Sequence, residues 1–138
     1  MIERTLVPAD MRSQFLPRHC GKRHYKLTEM AVHSMAGQLS EDYENFEGEK
    51  FWNYFELSNG GWYMGLDSDR TFHIVWPPSN FFEGDMSADA FSITACLYAF
   101  SAMCGSREEN EIFVPAYHAL RRYAVEHEER ELILAAIC

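Results

Sequence analysis

Residues 51–76, F-W-N-Y-F-E-L-S-N-G-G-W-Y-M-G-L-D-S-D-R-T-F-H-I-V-W, constrain the fold more than any other stretch, because Asn59-Gly60 separates two runs of alternating side chains. An Asn-Gly pair supplies the two positive-φ positions of a tight primed turn, so the stretch predicts a β-hairpin. A second turn is expected at Asp67-Ser68-Asp69-Arg70, where Asp and Ser side chains bond to nearby backbone. Counting outward from two- or four-residue loops sets Leu57 opposite Trp62, Phe55 opposite Met64, Leu66 opposite Thr71, Met64 opposite His73 and Trp62 opposite Val75. The expected fold class is α+β, a three-stranded or slightly larger antiparallel meander packed against about four to five helices. One domain should span residues 1–138.

In that register one face carries Phe55, Leu57, Trp62, Met64, His73 and Val75, and the other Trp52, Tyr54, Tyr63, Phe72, Ile74 and Trp76. An antiparallel sheet with one wet face alternates apolar and polar residues. Neither face here is polar enough for water. Helices should therefore cover one face, and further chain or a partner the other.

A chain of 138 residues with 47% hydrophobic composition is long enough for one core, burying roughly two thirds of its unfolded surface. The N-terminus carries Glu3, Arg4 and Asp10 where a secretion leader would be apolar. Cys20, Cys96, Cys104 and Cys138 form no C-x-x-C pair, which predicts reduced thiols and a cytoplasmic location. Residues 88–105 approach the length of a membrane span, but Asp89, Ser92, Thr94 and Ser101 mark a core helix, so no membrane is expected as a partner. The net charge of −9 is uneven: residues 1–30 are net basic and residues 31–111 hold most of the negative charge. A duplex as long as such a domain is wide bears about 20 charges at one per ~1.7 Å. Wholesale imitation of DNA is a poor fit.

Taken in order, residues 8–15 predict a short helix that stops before Pro17. Residues 15–24 form a turn-rich basic stretch with Arg18, His19, Lys22, Arg23 and His24. A helix follows over 28–39, with Met30 and Met35 as core filler, and then an acidic loop over 40–50. Pro77-Pro78 ends the strands. Ser87 caps a helix over Ala88–Met103, with Asp89 in its positive first turn and apolar residues around nearly its whole circumference. Such a helix is buried and should be the spine of the domain, stopping at Gly105. Two more helices are expected over 115–125, with Arg121 and Arg122 outward, and 128–137.

None of the usual reactive constellations stands out. Asp67, Asp69 and His73 could hint at a metal-assisted hydrolase, yet turn chemistry accounts for both aspartates, and His73 reads as a hydrogen-bonded core residue. His19, Cys20 and His24 make half a zinc site with no second half. His118 and His127 flank helix ends, where capping suffices. There is no G-x-S-x-G elbow, and Gly60-Gly61 joins strands with no helix N-terminus behind it. No catalytic residue, cofactor or metal is expected.

Four blocks carry a resemblance. F-L-P-R-H-C-G at 15–21, L-S-N-G-G-W-Y-M at 57–64, G-D-M-S-A-D-A at 84–90 running into A-C-L-Y-A at 95–99, and Y-H-A-L-R-R-Y-A-V-E-H at 117–127 resemble the ArdB/KlcA family of antirestriction proteins, in order and across nearly the whole chain. The resemblance implies a small cytoplasmic protein of plasmids and other mobile elements. It also implies relief of type I restriction-modification of incoming DNA, without enzymatic activity, through the host's restriction machinery as direct or indirect partner. Two positions depart from the family's pattern: Glu128 stands where relatives tend to have Pro, and Cys138 where an acidic residue is common. The second leaves open what a C-terminal carboxylate would do here.

The leading alternative is a single-stranded or duplex nucleic-acid-binding protein that uses the basic 18–26 stretch and an aromatic face of Trp52, Tyr54, Tyr63, Phe72 and Trp76. For partner contact the candidates are Arg18, His19, Asn59, Gly60, Asp67, Asp69, Glu83 and Asp85, all in expected turns beside the matching blocks. The sequence leaves the oligomeric state and the molecular target open.

Overall fold

The computed structural model describes residues 1–46, 48, 50–76 and 82–137, with the Trp76 side chain excepted. The expected break at Pro77-Pro78 and the C-terminal Cys138 lie outside the described residues. Helix α4, Ala88–Met103, is the spine, with eleven of its 16 residues buried. Ser87 caps it, its side chain accepting from the Ala90 amide, as its place before an apolar run dictates. Around α4 pack α2 (Tyr25–Leu39), α5 (Arg107–Val125) and α6 (Arg130–Ile137), together with strands β3 (Trp62–Leu66), β4 (Thr71–Trp76) and β5 (Phe82–Ser87). Helix α1 (Arg12–Cys20) and the short α3 (Glu41–Glu44) complete the helical layer.

The strands divide into two antiparallel sheets. β1 (Arg4–Leu6), β2 (Trp52–Leu57) and β3 (Trp62–Leu66) make one, in that order, while β4 (Thr71–Trp76) and β5 (Phe82–Ser87) make the other. The α+β class, the three-stranded antiparallel sheet and the helical packing are as expected. The third strand is not. β1 adds to the far edge of β2, whereas residues 71–76 were expected beside β3; Leu66–Thr71, Met64–His73 and Trp62–Val75 are not pairs, and β4 pairs with β5 instead. Leu66 already has its backbone needs met elsewhere. Its amide donates to Ser92 Oγ at 2.8 Å and Cys96 Sγ donates to the Met64 carbonyl at 3.4 Å, so α4 closes the edge a fourth strand would need.

The β2–β3 register is also shifted by one residue. Phe55 faces Tyr63 and Tyr54 faces Met64, because the loop holds three residues: the Leu57 amide bonds to the Gly61 carbonyl and the Gly60 amide to the Leu57 carbonyl. Gly60, at φ 87°, takes the left-handed position that follows a turn in such loops. The slip flips β3 relative to β2. One face now holds Trp52, Tyr54, Trp62 and Met64, the other Phe55 and Tyr63.

Both faces are covered by the chain itself. Phe15 of α1 stacks on Tyr54 at 4.8 Å and His19 on Trp62 at 5.2 Å. On the opposite face Tyr63 meets Tyr123 of α5 at 5.9 Å. Trp52, Tyr63 and Phe72 are 4%, 0% and 1% exposed.

Several helix limits differ from expectation. Pro17 lies inside α1, so residues 15–20 are helical rather than a basic loop. α2 starts three residues early and buries Thr28, Val32, Ala36 and Leu39, leaving Met30 exposed at 65% rather than in the core. α5 starts at Arg107 with a Ser106–Glu109 capping box, and Pro115 sits within it. Part of the acidic loop is α3.

Candidate functional site

The eight candidate contact residues fall into separate groups. Arg18 and His19 lie on α1, not in a turn, and both reach Glu56 of β2. His19 is held down to about 4 by burial, helped by the charge of Arg18, so it is a neutral ring packed on Trp62. Asn59 and Gly60 stay in the β2–β3 loop, where Asn59 Oδ1 accepts from the Gly61 amide and its Nδ2 donates to the Ala119 carbonyl of α5 at 2.9 Å. Gly61 makes that approach feasible, since a Cβ there would meet the Ala119 Cβ at 2.7 Å. Asp67 and Asp69 are exposed in the β3–β4 connection.

Glu83 and Asp85 are on strand β5 rather than in a turn, and both hold His73. His73 is therefore an exposed surface residue, not a core one, and its carboxylate partners are not Asp67 and Asp69. Among the described residues no hydrogen bond or ion pair joins these groups to one another. Among the described residues no three His, Cys, Asp or Glu side chains are grouped so as to hold a metal ion.

What the sequence reading missed is a polar network at the start of α4. Arg4 Nη1 donates to Tyr63 Oη at 2.8 Å and to Asp89 Oδ1 at 3.0 Å, and Tyr63 Oη donates to the same Oδ1 at 2.8 Å. The other carboxylate oxygen, Oδ2, takes His127 Nε2 at 2.8 Å. The Glu129 amide donates to His127 Nδ1 at 2.9 Å, which fixes the proton on Nε2. Glu129 in turn accepts from the Ser87 amide at 2.9 Å and from the Ser87 hydroxyl. The network thus ties β1, β3, the cap of α4 and the α5–α6 turn together. The N-terminus is fastened beside it by Ile2 N to Glu126 Oε1 and Glu3 N to Ser58 Oγ, each 2.8 Å.

Burial alone would push Asp89 up, but hydrogen bonds from His127 and Tyr63 and the charge of Arg4 outweigh it and hold the carboxyl below its usual range. Burial and the Asp89 charge push the Tyr63 hydroxyl far up, so it is a neutral donor. Every proton-carrying atom named here is already committed: His127 has no free lone pair, and the Ser87 oxygen is spent on capping. The arrangement can hold elements together.

Two signals pointed this way in the sequence. G-D-M-S-A-D-A places Ser87 and Asp89 at a helix start, and E-H at 126–127 follows a helix end; only the tertiary fold joins them to Arg4 and Tyr63.

These features define an α+β domain whose two small sheets are gathered around one buried helix, and the same fold occurs in a solved structure of the KlcA and ArdB proteins. That structure is described as showing a novel fold and antirestriction activity against type I DNA restriction systems in vivo but not in vitro, and it matches with TM-score 0.85 and 31% identity over 99% of this chain and 95% of its own. Antirestriction protein KlcA of Escherichia coli is 33% identical over 138 residues, covering 96% of this chain and 91% of that protein. The uncharacterized protein YafX of Escherichia coli K12 is 32% identical, covering 96% of this chain and 86% of its own length. Residues 41–138 match the antirestriction protein family, and the chain belongs to it. Among the described residues no helix is long and apolar enough to cross a membrane.

Proposed function

We infer that this protein relieves type I restriction of incoming DNA inside the cytoplasm, and that it does so by surface contact rather than by catalysis. The observation that carries the reading is the match, over 99% of the chain, to proteins described as active against type I systems in vivo but not in vitro. Activity confined to cells fits a body that acts with or through another cellular component, such as a part of the restriction machinery. The committed hydrogen bonds of Asp89, Tyr63 and His127 support a non-enzymatic mode.

The nucleic-acid alternative loses its main support, because stacking requires open ring faces. Trp52, Tyr63 and Phe72 are buried, and Phe15 lies on Tyr54. Arg18 and Arg23 of the basic stretch are paired with Glu56 and Glu108.

Unmodified phage plated on a type I restricting host, with and without the expressed protein, tests the function. Plating should rise toward that on a non-restricting host. Unchanged plating with folded, abundant protein would overturn the reading.

A further inference from the structure

β4 and β5 pack on α4 through Phe72, Ile74 and Met86, leaving Thr71, His73, Val75, Glu83 and Asp85 on the outer face. His73 lies opposite Asp85 in the register. Its Nδ1 is 2.7 Å from Asp85 Oδ1 and its Nε2 is 2.9 Å from Glu83 Oε2. An ionised carboxylate only accepts, and a neutral imidazole carries a single N–H. Both contacts are hydrogen bonds at once only if both ring nitrogens are protonated.

The backbone adds a third tie, since the His73 amide donates to Asp42 Oδ2 of α3 at 2.8 Å. We propose that His73 is kept as the imidazolium by Asp85 and Glu83, and that the charged ring is a pH-dependent clip holding β5 to β4 across their outer face. The groups that face it are Glu83 and Asp85 from β5 and Asp42 and Glu41 from α3, with Gln38 of α2 in the same cleft. Arg70, from the β3–β4 connection, shares a neighbouring cleft with Asp42 and Glu41, its guanidinium over the Phe46 ring.

The hydrogen bonds the ring donates to Asp85, then to Glu83, raise it above its ordinary 6.5. A raised folded value means the clip is fully formed below the free imidazole's 6.5 and is lost as pH rises through the folded value. Once the ring is neutral, one carboxylate loses its donor and two carboxylates are left beside each other. The pair of strands should then fray from its Trp76–Phe82 end.

Ring nitrogen chemical shifts of the full-length protein, followed by NMR from pH 5 to 9, test this directly. The expected result is a doubly protonated ring at neutral pH and a midpoint above 6.5, shifted down by Asp85→Asn and by Glu83→Gln. Hydrogen-exchange protection of the Ile74 and Gly84 amides, the ladder pair beside His73 and Asp85, corrected for intrinsic pH effects, should fall across that same midpoint and lose this step in His73→Gln. A midpoint at or below 6.5, or protection that stays flat through the titration, overturns the proposal.

Discussion

Two histidine–carboxylate contacts of nearly equal length, 2.8 Å for His127–Asp89 and 2.7 Å for His73–Asp85, sit in opposite surroundings. The first pair has side chains 12% and 31% exposed, the second 44% and 68%. Water and salt screen the outer pair, while the inner pair interacts across protein with few competing waters. Asp89 also gathers Arg4 and Tyr63, so removing it strands three donors; removing Asp85 strands one ring nitrogen that water can reach. Contact length does not rank these interactions. Burial and the number of dependent groups do.

The largest effect expected from this contrast is that of Asp89→Ala, which should lower unfolding stability by about 2–4 kcal/mol in urea titrations, below the full cost of breaking a buried pair because the site is partly open. A loss under about 0.5 kcal/mol, the ordinary range for surface substitutions, would erase the difference between the two regions. Tyr63→Phe comes next, at about 1–2 kcal/mol, since the ring stays packed and only the hydroxyl's bonds go.

pH separates the regions with opposite signs. The Asp89 carboxyl is held below its ordinary 3.8, so its contribution is present above that value and is lost as pH falls through the lowered one. Thermal melts of Asp89→Asn should show a shallower acid limb than wild type. The smallest effect belongs to His73→Gln, whose melting temperature in high salt should match wild type, because the exposed pair is screened.

How much of this was legible depends on whether local chemistry decided the outcome. The Ser87 cap and the mostly apolar run after it decide α4 locally, and the helix spans the expected residues. Asn59-Gly60 does mark the hairpin, but loop length sets register, and a three-residue loop moved every pairing by one. Arg4-Thr5-Leu6 is too short to announce a strand; it is held by β2 and by the Arg4 side chain's bonds to Tyr63 and Asp89. β5 reads as F-E-G-D-M-S, with charges at alternate positions and a glycine, and becomes a strand because Met86 can bury against α4 while Glu83 and Asp85 find His73. Pro115 suggested a helix start, whereas the helix begins at Arg107, eight residues upstream, behind the Ser106–Glu109 capping box. The Asp89 network was hidden for a different reason: its members come from residues 4, 63, 89 and 127, and no spacing rule links them.

The central claim is that the inner network builds the molecule while the surface does the work. Plating of unmodified phage on a type I restricting host that expresses Tyr63→Phe, scaled to the amount of folded protein, tests it most directly. Restriction relief equal to that of wild type is the predicted result. Plating no better than with an empty vector, from a variant shown to be folded and abundant, would mean that the Tyr63 hydroxyl takes part in the activity itself and would contradict the account.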